Sequence, residues 1–138
     1  MSAEFCDTNV LAYAYGLAGG RKWEIARQLI DGLWASRNGA LSVQVLQELY
    51  VIVTRKAVPP LPPEQARTIV DRLTLWPIIE PSARDVLDAI DNSIRWQISF
   101  WDAMLLTAAN RAGAAVLWSE DLNPGQVYGR VTVQNPFA

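Results

Sequence analysis

Every short apolar run in this chain that could form a strand is separated from the next by a stretch of helical periodicity or by a turn. The runs are Glu4–Cys6, Ala40–Val43, Trp76–Glu80, Ala115–Trp118 and Val131–Val133. No hairpin signal joins neighbouring runs until the end of the chain, so the strands are expected to lie parallel. Right-handed crossovers then place helices on both faces of an open sheet. The predicted class is α/β, and residues 1–138 read as one domain.

The connecting segments carry their own start and stop signals. Asn9 to Tyr15 begins a short helix that Gly16, Gly19 and Gly20 end. Arg21 to Ser36 places Ala26, Leu29, Ile30 and Leu33 on one face, with Asn38-Gly39 closing it. Ser42 suits the N-cap of a helix from about Val43 to Lys56, whose apolar stripe is Leu46, Leu49, Tyr50 and Val53. Val58 to Pro63 is a rigid non-helical connection, and Pro63 fits the first turn of a helix reaching about Leu73. Pro77 confines the following strand to a sheet edge or a strand start. Ser82 with Asp85 resembles a capping box, opening a helix with Ala83, Leu87, Ile90 and Ile94 as its expected buried face. The last helix, Ser99 to Gly113, is expected to bury Trp101, Met104, Leu105, Ala108, Ala109 and Ala112, and Asn123-Pro124-Gly125 turns the chain.

Composition narrows the chemistry. The chain has no histidine and one cysteine, Cys6, which removes His-based nucleophile pairs, imidazole ligands and intrachain disulfides together. Carboxylates remain, and they suit a hard cation such as magnesium or manganese. The net charge of −2 opposes nucleic-acid binding by bulk charge, so any such contact needs a local patch. No basic segment precedes an apolar run at the N-terminus, and no apolar stretch approaches the about 20 residues of a membrane span. A cytoplasmic protein without a membrane partner is the expectation.

Two acids follow apolar runs: Asp7 after the first, and Asp121, with Glu120, after the run ending in Trp118. Carboxyl ends of parallel strands share one edge of a sheet, where ligands bind. Each acid also has a plain structural reading. Asp7 can cap the next helix, Glu120 and Asp121 can be turn residues, and Asp102 can complete a cap with Ser99. Glu48, among Val45, Leu46, Leu49, Val51 and Ile52, is either buried or on a narrow solvated stripe with Gln44 and Arg55.

Asp7-Thr8-Asn9-Val10-Leu11 after an opening strand resembles the first motif of PIN-domain ribonucleases. Ser42 to Glu48 resembles the second, Phe100-Trp101-Asp102-Ala103 the third, and Ser119-Glu120-Asp121-Leu122 the fourth. Order and spacing agree over essentially the whole chain, and the likeness is greatest to toxins of VapBC-type toxin–antitoxin pairs, whose ending Val133-Gln134-Asn135-Pro136-Phe137 also resembles. The resemblance implies a three-layer α/β/α sandwich with a mostly parallel central sheet. It also implies a magnesium- or manganese-dependent endoribonuclease with Asp7, Glu48, Asp102 and Asp121 as its acidic cluster. In that reading Asp7 and Asp121 face the metal directly, and Asp102 and Glu48 reach it through water or orient the attacking water. Thr8, Asn9 and Ser119 position these groups or the substrate. Many relatives carry a further acid where this chain has Asn123, and Glu120 is the candidate to replace it.

The available RNA-binding groups are Arg21, Lys22, Arg55, Lys56, Arg95 and Trp101, although basic residues at helix ends ordinarily face solvent. Trp34, Trp76 and Trp118 are expected in the core. The implied partners are an RNA substrate, a cognate antitoxin and a second copy of the chain. Two rivals stand beside this reading: a PIN-like module that binds RNA or protein without cutting, and another magnesium phosphotransfer fold. Asp7-Thr8-Asn9 lacks the paired acids that the second rival expects.

Overall fold

Strand β1 (Ala3–Cys6) passes into helix α1 (Thr8–Ala14) with only Asp7 between them, and β2 (Gly39–Ser42) passes directly into α3 (Val43–Arg55). Between these units runs α2 (Gly20–Ser36). After them come α4 (Pro63–Leu73), β3 (Ile78–Ile79), α5 (Ala83–Trp96), α6 (Phe100–Arg111), β4 (Ala114–Trp118), β5 (Val127–Tyr128) and β6 (Val131–Gln134). The computed structural model describes residues 2–138.

The sheet order is β3-β2-β1-β4-β6-β5, parallel throughout except for β5 against β6. The chain builds outward from β1 through β2 to β3, then returns to the other side of β1 with β4. The strand order therefore reverses between β1 and β4, and the crevice at their carboxyl ends is the expected ligand position in such a sheet. Consecutive strand residues point to opposite faces, and Phe5 with Cys6, and Ala40 with Leu41, are all buried. Both faces of the central strands are thus covered. Helix α6 lies against β2, β4 and β6 with α5 packed against it, while α1 packs on α2 and α3, and α3 on α4.

Helix starts follow the local signals. Ser42 accepts from Val45 N, Pro63 occupies the first turn of α4, and Ser82 and Asp85 form both halves of a capping box. Asp85 also accepts from Arg111 at 2.6 Å, joining α5 to α6. Its carboxyl is held below the usual range, first by the Ser82 backbone N–H and also by the Arg111 charge.

Five expectations need correction. The predicted inner face of α5 points outward: Leu87 is 54%, Ile90 42% and Ile94 72% exposed, and Ala83 is exposed as well. The face turned toward α6 carries Asp85, Ala89 and Asn92 instead, meeting Arg111, Ala103 and Thr107. Periodicity finds a stripe that needs cover but not which molecule covers it. Trp101 likewise stands 65% exposed rather than buried, whereas the rest of α6 is buried almost all round because it lies between the sheet and α5.

The third correction is the end of α2, which comes at Arg37 in the left-handed region (φ 62°), leaving Gly39 inside β2. The fourth is the Trp76–Glu80 strand, which shrinks to Ile78–Ile79 at the sheet edge, the place Pro77 predicted. The fifth is β5 to β6, the one hairpin among the described residues, of which the sequence predicts only the second strand. Asn110 holds its turn by donating to Tyr128 O at 3.1 Å and accepting from Arg130 N at 2.9 Å.

Candidate active site

The parallel ladder continues past the ends of β1 and β4. Asp7 N donates to Trp118 O at 2.9 Å and Ser119 N to Gln134 O at 3.0 Å, so the two turns leave the sheet side by side. Asp7 caps α1, with Oδ1 accepting from Thr8 N at 2.6 Å. Its other oxygen accepts from the Ser119 hydroxyl at 2.9 Å. Capping uses one oxygen and leaves the carboxylate in the crevice, so the two readings of Asp7 are compatible. Fully buried Ser119 also accepts from Asp121 N at 3.1 Å, and its hydroxyl therefore bridges both acidic turns.

Helix α1 reaches the other acids from its first turn. Asn9 Nδ2 donates to Asp121 Oδ2 at 3.4 Å, and buried Thr8 donates to Glu48 Oε1 at 3.3 Å. Glu48 is exposed on α3, which settles its side chain on a solvated stripe. Asp102 opens α6, and its backbone N–H is capped by Ser99 at 3.0 Å. The reciprocal bond that Asp85 makes in α5 is missing from α6 among the described residues. The Asp102 carboxylate is therefore not consumed by capping.

The acids feel one another. Burial pushes the Asp7 carboxyl up to about 6 against the lowering effect of the Ser119 and Thr8 hydrogen bonds, and the charges of Asp121 and Glu48 add to the rise. Asp121 is raised by burial first, then by Glu120 and Asp102. The couplings thus run from Glu48 to Asp7, on to Asp121, and on to Asp102. Among the described residues no three Asp, Glu, His or Cys side chains converge closely enough to hold an ion unaided. An oxygen-only set linked through hydroxyls fits a hard cation that retains several waters and needs only one or two direct carboxylates. Asp7 and Asp121 are the residues that could bind it directly.

The remaining candidates divide. Both Glu120 oxygens are occupied, one by the Tyr13 hydroxyl at 2.8 Å and the other by Lys22 at 2.7 Å. Nothing in the sequence links Tyr13 to a turn 107 positions away. Asn123 is exposed and its carbonyl closes a turn with Gln126 N. Trp101 stands beside Asp102, with its carbonyl held by Gln44 at 3.4 Å. Arg21 binds Phe137 O at 2.9 Å, Arg55 and Lys56 are exposed at the end of α3, and Arg95 lines a separate polar groove with Asp91, Asn92 and Thr107.

Solved structures share this arrangement of elements. A toxin–antitoxin complex from Klebsiella pneumoniae is similar with a TM-score of 0.71 and 20% identity, covering 98% of this chain and 98% of that one. VapC20 of Mycobacterium tuberculosis, described as a sarcin-ricin loop cleaving toxin, gives 0.66 and 20%, covering 86% of this chain and 90% of that one. VapBC2 from Rickettsia felis, bound to a DNA fragment from its promoter, gives 0.64 and 19%, covering 96% and 98%. No curated protein matches. Identities at this level establish a shared fold, whereas the PIN domain family matches in sequence over residues 5–129, a span holding all four acids of the crevice. The chain belongs to the PIN-domain family.

Proposed function

We propose that this protein is a metal-dependent endoribonuclease that acts as the toxin of a toxin–antitoxin pair. The observation that carries the reading is the linkage of Asp7, Glu48 and Asp121 through Thr8, Asn9 and Ser119 at the point where the strand order reverses, with Asp102 close enough to perturb Asp121. A bound magnesium or manganese ion would relieve the repulsion among these carboxylates, activate water and stabilise charge on the scissile phosphate. Asp7 and Asp121 supply the oxygens to hold such an ion, while Asp102 and Glu48 orient water. Ser119 fixes the spacing of the two direct ligands. The exposed Trp101 ring beside Asp102 offers a stacking face for an unpaired base, which suits single-stranded or looped RNA.

The test is RNA cleavage by the purified chain with added magnesium or manganese. Cleavage is expected to stop with chelator and in Asp121→Asn, and to be suppressed by an antitoxin encoded beside the protein. A folded chain that binds RNA and leaves it intact with either metal would make it a binding module instead.

A second copy is assigned to the uncovered stripe Val86, Leu87, Ile90 and Ile94 on α5. A patch of large apolar side chains along one helix is readily self-complementary about a two-fold axis. The ion-paired Arg84 and Asp88, 3.2 Å apart beside it, bring both signs of charge to such a contact. Sedimentation equilibrium is expected to give a dimer for the native chain and a folded monomer for Ile94→Glu. A monomeric native chain would remove this assignment.

A further inference from the structure

Lys22 has the sequence position of an RNA-binding residue, but its ammonium is already engaged. It donates to Glu120 Oε2 at 2.7 Å and to the Tyr13 hydroxyl at 3.3 Å. It also lies 4.9 Å from the Tyr13 ring centroid and 5.4 Å from that of Phe137, and these two rings pack edge to face at 5.2 Å. Tyr13 satisfies the second Glu120 oxygen at 2.8 Å. The Phe137 backbone is tied to α2 in turn, because its carbonyl accepts from Arg21 at 2.9 Å. Side chains from α1 and α2 thus close on one carboxylate, that of the residue immediately before Asp121, with Phe137 of the C-terminal segment packed against both of them.

Three consecutive residues of that turn are held in different ways. Ser119 is fixed to Asp7, Glu120 to Tyr13 and Lys22, and Asp121, among the described residues, only to the Ser119 hydroxyl through its backbone and to Asn9 at 3.4 Å. The Asp121 carboxylate is exposed and has the weaker restraint, so its direction depends on its neighbours. Helix α1 contributes at both ends of this contact: its cap Asp7 meets Ser119, its first turn meets Asp121 and Glu48 through Asn9 and Thr8, and Tyr13 meets Glu120.

We propose that Lys22, with Tyr13, is a positioning residue that clamps Glu120 and thereby aims Asp121 at the crevice, rather than a contact for RNA phosphates. This rests on the ribonuclease reading only for its effect on cleavage, since the clamp itself is a property of the folded chain. Glu120 in this assignment is a structural anchor and not a stand-in for the acid replaced by Asn123. Removing the lysine would leave its negative charge next to Asp121 without a counter-charge.

Three measurements on Lys22→Met, Lys22→Arg and Tyr13→Phe test the clamp: amide hydrogen exchange across residues 119–123, manganese titration of the full chain, and steady-state RNA cleavage. Lys22→Met is expected to speed exchange at 119–123 selectively. It should also weaken manganese binding and lower kcat by about tenfold each while leaving KM for RNA unchanged, as losing a group that orients a metal ligand typically does. Tyr13→Phe should move the same quantities less, and Lys22→Arg should restore most of them. A raised KM with unchanged kcat, manganese affinity and exchange would overturn the clamp and make Lys22 an RNA contact. If Lys22→Met does not fold, Tyr13→Phe, which removes a single oxygen, gives the same decision. If the native chain neither binds manganese nor cleaves RNA, the ribonuclease reading fails by itself, and exchange at 119–123 alone decides: unaltered exchange in Lys22→Met overturns the clamp.

Discussion

Asp7→Asn is expected to abolish RNA cleavage and, in the absence of metal, to make the protein more stable at neutral pH. The native carboxyl titrates at about 6 against 3.8 for the same group unperturbed. A folded-state pKa raised above the unfolded one means that the folded chain holds a proton between those values and the unfolded chain does not. Stability that is fully present below pH 3.8 is therefore lost as the pH rises through about 6, amounting to about 3 kcal/mol. The asparagine has no charge to desolvate. Its carbonyl can accept from Thr8 N and its amide can donate to the Ser119 hydroxyl, so both bonds of the native side chain have a counterpart. Denaturant melts from pH 4 to pH 8 in chelator should show the native chain weakening across this window and Asp7→Asn remaining flatter. Added magnesium or manganese should reverse the ranking, because an ion that binds only the folded native chain stabilises it by mass action. A variant less stable than the native chain at pH 7 without metal, or one that still cleaves RNA, would contradict the role given to Asp7.

This combination separates a functional acid from a structural one. Asp85 is the internal contrast: its carboxylate gains a backbone N–H, the Ser82 hydroxyl and the Arg111 guanidinium, and its pKa falls. Asp7 also makes its two hydrogen bonds, yet burial and neighbouring acids push it upward. The fold holds Asp7 in a state that favours either a proton or a cation, and perturbation of this kind, in a crevice at a sheet switch point, marks a candidate site.

Much of this could be read in the sequence because the relevant signals are local. Ser42, Pro63, Ser82 and Ser99 mark their helices within one turn, and the apolar runs ending in Cys6 and Trp118 deliver Asp7 and Asp121 to the same edge. Signals that depend on a distant partner were not legible. Periodicity places the α5 stripe inward because it cannot tell intrachain cover from another molecule. Lys22 looked like a free cation because Glu120 lies 98 positions away. Strand β5 is two residues long and is stabilised by Asn110 of α6 more than by any pattern of its own. Gly39 belongs to the same class of error, since Asn38-Gly39 carries a strong stop signal and the packing that uses this glycine comes from Trp76.

Gly39→Ala is expected to cost about 1–3 kcal/mol of stability, the range for an added methyl in a well-packed interior. The glycine lies in β2 and is buried, and its φ is not in the left-handed region, so the constraint is space and not backbone freedom. A β-carbon there would sit 2.6 Å from Trp76 Cε3 and Cζ3 and 2.8 Å from Cη2. The indole is held on several sides, although a groove lined by Trp34, Arg37, Leu75 and Pro77 opens beside it. It is itself buried, it packs edge to face on Trp34 at 5.2 Å, and its neighbour Pro77 is bound to β2 by the Leu41 N–H at 3.0 Å. All three clashing atoms belong to the six-membered ring, which phenylalanine at this position would move or remove. Trp76→Phe alone should also destabilise, by leaving a void beside Gly39. The double variant should then lose less than the sum of the two single ones, by about 1 kcal/mol or more, because the added methyl partly fills that void. Urea melts of the four proteins measure the coupling directly. Additive losses would mean that the strand shifts to accept the methyl and that close approach to Trp76 is not what requires glycine. Such a shift would also reach the crevice, since β2 ends at Ser42, the cap of the helix that presents Glu48.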